Sequence, residues 1–228
     1  MIWLMGGWDN RPDPLRASAE RLQRSLRLMP ASDRRGPWGV LQPSAPDPET
    51  GADLEVAPLD IDDIAAVEDA ITTATKRASD GARTGPGHYI ELAADGSAGQ
   101  AVYKYTARVG FLDMRRPFNQ VTLDVDSDID ERTLTSYLSA LVQAWEPDYL
   151  GGVTREVKRA QGRKPPEVLI GRLTYLRDGT PLDVGSLPDD IDVAAADGGH
   201  YVRVPGTPAE PSLEHIRLVR RALGYPVS

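Results

Sequence analysis

Four aspartates alternate with other residues in Asp124-Val125-Asp126-Ser127-Asp128-Ile129-Asp130, a spacing that invites a chemical reading. Alternating carboxylates serve calcium loops, but such a loop needs Gly at its sixth position and a bidentate Glu at its twelfth. Those positions hold Ile129 and Thr135. In an extended segment every second side chain shares a face. Asp124, Asp126 and Asp128 would then stand together and could hold Mg²⁺, serve a metal-dependent phosphoesterase or hydrolase, or receive a basic partner. A strand end running into a helix, with Asp128 or Asp130 as its cap, explains the same spacing.

Other chemistries find less support. His88, His200 and His215 are scattered, without zinc-like pairing or a neighbouring acid that suggests a triad. The pairs Gly6-Gly7, Gly151-Gly152 and Gly198-Gly199 lack the basic residue or the strand-to-helix setting of a phosphate loop. No nucleophile-elbow pattern surrounds a serine. The chain has no cysteine, which removes disulfides, thiolate zinc sites and cysteine nucleophiles. No cofactor is expected.

Charge points toward a partner. The net charge is −8, and phosphate binding needs a basic surface, so direct nucleic-acid binding is not expected. Acids are concentrated: residues 37–75 carry nine and no Lys or Arg, and residues 120–150 carry seven against Arg132 alone. Residues 151–180 reverse the balance, with seven basic and three acidic residues. Within the first window Asp47, Glu49, Asp53 and Glu55 lie in a Pro-rich loop led by Trp38, which reads as an apolar anchor for a basic partner. Asp60, Asp62 and Asp63 sit instead where a helix dipole favours anions. Of the other tryptophans, Trp3 and Trp145 read as core, and Trp8 is open to either role.

These residues need elements to position them. Ile2 to Met5 reads as a short strand. A helix follows, with Asp13 as cap and Leu15, Ala19, Leu22, Leu26 and Met29 as its apolar stripe. After the long loop comes a helix from Asp60 with Ile61, Ile64, Val67 and Ile71 inward. Residues 88–93, 101–111 and 120–126 then read as a meander of strands. A third helix carries Leu134, Leu138, Leu141, Val142 and Trp145. Residues 150–153 suggest a short strand and residues 154–161 a polar helical turn. Val168 to Leu176 is apolar on both faces and is expected to be the central strand. A hairpin turning at Asp197-Gly198-Gly199 and a last helix capped by Ser212 complete the chain. The class expected is α+β: an antiparallel or mixed meandering sheet with about four helices packed around it, one domain over residues 1–228. The apolar opening from Met1 to Trp8 is too short for a signal peptide, and no segment reaches the length of a membrane span. A cytoplasmic protein with no membrane partner is therefore expected.

The order of short motifs resembles the immunity protein 52 family. The residues that carry the likeness are Gly6-Gly7-Trp8 with Arg11, the helix from Pro14 to Met29, Trp38-Gly39, Ala144-Trp145-Glu146-Pro147-Asp148, and Gly171-Arg172-Leu173-Thr174-Tyr175-Leu176. The Asp197-Gly198-Gly199 hairpin and a closing helix after Pro211 follow in the same order. Arg172 departs from the pattern, standing where the family usually has Trp. The resemblance implies an antitoxin of polymorphic toxin systems that binds a secreted toxin, with nucleases of restriction-endonuclease-like fold as the associated toxins. It supplies no catalytic residues. An acidic inhibitor suits such a toxin, since a nuclease presents Lys and Arg to phosphates and complementary charge speeds capture. On that reading Trp38, Asp47, Glu49, Asp53, Glu55, Asp124, Asp126 and Asp128 would face the partner. A scaffold whose acidity only confers solubility is a third reading.

Overall fold

The computed structural model describes residues 1–32, 34–43, 54–79, 87–96, 103–112, 119–162 and 167–226. Ten strands form one sheet in which every pairing is antiparallel. In chain order they are β1 (Ile2–Trp8), β2 (Gly39–Pro43), β3 (Leu54–Pro58), β4 (His88–Ala94), β5 (Tyr103–Val109), β6 (Asn119–Val125), β7 (Tyr149–Val153), β8 (Leu173–Arg177), β9 (Asp192–Ala196) and β10 (Gly199–Arg203). Across the sheet the order is β3-β2-β4-β5-β6-β1-β7-β8-β10-β9. The helices are α1 (Leu15–Leu28), α2 (Ile64–Ser79), α3 (Glu131–Trp145), the short α4 (Arg155–Ala160) and α5 (Leu213–Ala222). The class is α+β, with α4 formed from the polar turn. None of the described helices is long and apolar enough to cross a membrane.

The middle of the sheet belongs to β1, flanked by β6 and β7. This strand runs on through Gly6 and Gly7, beyond its expected end at Met5, and at Gly6 the neighbouring strand comes too close for a side chain. A Cβ at Gly6 would collide with the Tyr149 carbonyl and the Leu150 side chain. Alternation along β1 then separates two cores. Ile2, Leu4 and Trp8 join Leu123, Val125 and Tyr105 beneath α1, α2 and α3. The opposite face holds the smaller cluster of Val153, Leu176, Val202, Ile216 and Val219, under α4 and α5.

The stretch from Val168 to Leu176 corrects the sequence reading. Only Leu173–Arg177 is strand, and β8 lies third from one end of the sheet rather than at its middle. Val168, Leu169 and Ile170 are buried in the second cluster without joining the ladder. Gln161 takes the place of a strand partner: its Nε2 donates to the Ile170 carbonyl at 2.8 Å and its Oε1 accepts the Ile170 amide at 3.0 Å. Gly171 then crosses so tightly over Gly152 that a Cβ would overlap that backbone. Arg172 turns out to Glu131 on α3 at 2.8 Å, which also takes Arg203 at 2.8 Å.

Helix starts also shift. Asp13 does not cap α1; it is buried and pairs with Arg11 at 3.2 Å and Arg21 at 3.4 Å, while Pro14 occupies the cap. Trp8 is a core residue, stacked on Trp145 at 5.8 Å. Trp3, expected inside, is only half-buried and lies beneath Lys158 at 5.5 Å.

Leu173 is 1% exposed within the larger cluster. Leu173→Ala should therefore cost about 2–5 kcal/mol in urea unfolding. Because one sheet runs beneath both clusters, calorimetry should give a single transition for the wild type.

Candidate functional site

Where β6 ends, its alternation sends Val121, Leu123 and Val125 into the core and Asp124 to the other face. Asp126 to Ile129 then turn the chain into α3, whose first turn is capped by Asp130 accepting the Thr133 amide at 2.9 Å. The segment leaving α1 passes across this end of the sheet and brings Arg34 and Arg35 over it. Between them lies a cavity of about 240 Å³, lined by Arg34, Arg35, Tyr103, Asp124, Asp126 and Asp128 among others.

The three aspartates share that cavity but face different partners. Asp126 accepts a hydrogen bond from the Tyr103 hydroxyl at 2.5 Å. Burial, reinforced by that bond, pushes the Tyr103 phenol up to about 12. Asp128 is exposed and takes Arg34 through both oxygens at 2.5 Å, which holds its carboxyl below the usual range. Asp124 accepts the Lys104 amide at 3.1 Å and has no ion pair within reach among the described residues, and burial raises its pKa. Among the described residues, no three acidic, His or Cys side chains gather as they would around a metal ion.

Trp38 is 7% exposed, so it is a core ring and not a surface anchor. It meets Tyr105 edge-on at 6.0 Å, and the Arg35 guanidinium lies over its face at 4.2 Å. Burial lowers the Arg35 pKa, and its Nη1 has no hydrogen-bond partner. Asp47, Glu49 and Asp53 lie outside the described residues. Glu55 is exposed on β3, opposite Gln42. Asp60 and Asp63 accept backbone amides ahead of α2, in keeping with helix-end positions, while Asp62 pairs with Arg27 at 2.6 Å.

One grouping was invisible in the sequence. His215 Nδ1 lies 2.6 Å from Ser212 Oγ and its Nε2 2.9 Å from Asp190, so this histidine does have an acid beside it. The serine hydroxyl also caps α5 by accepting the His215 amide at 3.4 Å. The Ser212 amide donates to the Pro205 carbonyl at 2.8 Å, so the trio is a serine N-cap whose hydroxyl is also held by His215, and Asp190 clamps the far side of that ring. Only folding could bring Asp190 there, from the far side of the β9–β10 hairpin.

No protein-family model matches the chain, and no curated protein matches it. The immunity protein 52 likeness thus stays one of short motifs. Among solved structures the fold is shared with Pseudomonas aeruginosa T6SS protein PA0821, at 11% identity and a TM-score of 0.51, over 98% of this chain and 74% of that one.

Asp124 yields a pH test. Its folded pKa is raised, so the folded state holds the proton more tightly than the unfolded state. That contribution to stability is fully present below the unfolded pKa and is lost as pH rises through the folded one. Asp124→Asn should raise the melting temperature at neutral pH and leave it nearly unchanged near pH 3, where the wild-type residue is already protonated.

Proposed function

We propose that this chain is an immunity protein, which binds and neutralises a cognate secreted toxin in the cytoplasm and catalyses nothing itself. A basic nuclease is the partner that fits best. The observation that carries the reading is the acid-lined cavity at the end of β6. Its described carboxylates do not gather as they would around a metal, and Asp124 is partly desolvated with no ion pair among the described residues, its charge eased only by the Lys104 amide and by the more distant charges of Lys104 and the N-terminus. A partner's Lys or Arg would relieve that cost, which makes the site better suited to receiving a side chain than to chemistry.

Two further observations support it. The net charge of −8 favours capture of a basic protein at speed. The fold neighbour is named as a T6SS protein, and the motif order resembles an immunity family. Asp47, Glu49 and Asp53 of the Pro-rich stretch, with Glu55 on β3, belong to the same proposal as a second contact. Trp38 would act through Arg35, which it holds beside the cavity.

The test uses the product of the gene adjacent to this one. Wild type should bind it and suppress its cleavage of plasmid DNA. Asp124→Asn with Asp128→Asn should weaken binding and flatten its salt dependence, and neutralising Asp47, Glu49, Asp53 and Glu55 together should mainly slow association. Unchanged rates and salt slopes in both variants would remove the acidic face from the proposal. A neighbouring product that neither binds nor cleaves DNA would remove the nuclease.

A further inference from the structure

The strand β9 closes one side of the sheet, pairing with β10 alone among the described residues. Asp192, Ala194, Ala195 and Ala196 are exposed along it, and Val193 is half-buried. A sheet edge is usually blunted by Lys, Pro, a bulge or a covering element, because its free amides and carbonyls invite another strand. The sequence Asp-Val-Ala-Ala-Ala has none of the first three. The opposite edge strand, β3, includes Pro58.

The turn shows which groups are free. Asp197 and Gly198 have φ of 53° and 73°, as a two-residue type I′ hairpin requires. Ala196 and Gly199 are then a hydrogen-bonded pair. Alternation makes Ala194–Tyr201 and Asp192–Arg203 hydrogen-bonded as well. Val193 and Ala195 therefore turn their amides and carbonyls outward, and no described group bonds them.

Charge selects the occupant. Residues 178–202 carry six aspartates and no Lys or Arg. All six, Asp178, Asp183, Asp189, Asp190, Asp192 and Asp197, are exposed; Asp189 and Asp190 lead into β9, Asp192 begins it beside Arg203 at 3.9 Å, and Asp197 turns it, while Asp190 also meets His215. Pairing two copies through β9 would press two such acidic rims together. We propose that β9 is a docking edge that takes an extended, Lys- or Arg-bearing segment of a partner protein as an added strand. Backbone hydrogen bonds hold the segment, the alanines leave room for its side chains, and the aspartates set its charge. The inference rests on the toxin-binding reading only for the source of such a segment.

The probe is a synthetic peptide of about eight residues alternating Lys with Val and Thr, alongside a counterpart with Glu for Lys. The readout is amide exchange on the full chain. The Lys peptide should slow exchange at Val193 and Ala195, and the Glu peptide should not. Ala195→Pro removes one outward amide while sparing the β9–β10 ladder, and should abolish this protection or weaken binding roughly tenfold; Ala195→Ser, which keeps the amide, should retain it. Asp189→Asn with Asp192→Asn should weaken binding at low salt only. If Ala195→Pro does not fold, Ala196→Lys takes its place and should repel the Lys peptide.

Equal protection by both peptides would overturn the proposal, as would binding that survives Ala195→Pro or Ala196→Lys, or protection at residues 124–128 instead. A free protein that sediments at twice its mass, and at one mass as Ala195→Pro, would assign the edge to a second copy. Because the probe is a peptide, its failure leaves the cavity reading standing. Failure of the adjacent-gene product to bind leaves this one standing.

Discussion

A chain of buried polar contacts through Tyr105 fixes the arrangement on which the candidate site depends. The Trp145 indole donates to the Tyr105 hydroxyl at 2.5 Å, and that hydroxyl lies 2.9 Å from Ser25 Oγ. Ser25 gives its own proton to the Leu22 carbonyl at 2.8 Å, so Tyr105 must be the donor to Ser25. Burial raises the Tyr105 pKa, which keeps that donor protonated. The contacts bind α3, β5 and α1 to one another, and each member is buried where an unmet partner would be costly. Tyr105 in turn supports the edge-on Trp38, and Trp38 carries Arg35. The cavity's cationic wall is thus set from the core outward.

The same sheet supports different demands on its two faces. Beneath α1, α2 and α3 the first face is apolar from β4 to β8, and β5 and β6 alternate cleanly. On the second face the described residues cover the β7–β8–β10 part, with α4, α5 and the segment at Val168 to Ile170. Toward β5 and β6 that face shows Lys104, Thr106, Thr122 and Asp124 instead. A residue such as Asp124 is therefore partly buried by its neighbours in the sheet, without the compensation a covering layer would bring. Its raised pKa and its proximity to the cavity have one cause.

What could be read in the sequence followed from local periodicity. The stripes of α1, α3 and α5 needed only spacing of three and four, and Asp130 and Ser212 cap as their positions suggested. The meander of β4, β5 and β6 was legible from alternation. Long-range geometry was not. An apolar run with two buried faces reads as a strand whether or not it is paired, so Val168 to Ile170 looked like ladder when Gln161 was supplying its hydrogen bonds. β2 was missed because Gly39 and Pro43 are poor strand formers and only pairing with β3 and β4 reveals it. At the site, Asp124, Asp126 and Asp128 were found together, but Arg34 comes from 94 residues away to pair with Asp128. Trp38 beside Gly and Pro gave no sign of the Tyr105 ring beneath it.

Two features stand out as costs the fold meets only in part: Asp124, partly desolvated with one backbone hydrogen bond, and the β9 edge, whose outward groups no described residue bonds. Proteins tend to break such local rules where function needs them. The two are five strands apart in the sheet order, about 24 Å at ordinary strand spacing. That distance alone would fit within one standard interface of roughly 800 Å² per partner. Twist changes the geometry, however, since neighbouring strands rotate by about 20–25° and five steps accumulate to roughly 100° or more. The cavity and the edge then face in different directions, and a compact partner with one flat surface could not cover both. A partner with a globular body at the cavity and an extended basic arm along β9 could, and the acidic window at residues 178–202 lies where such an arm would run.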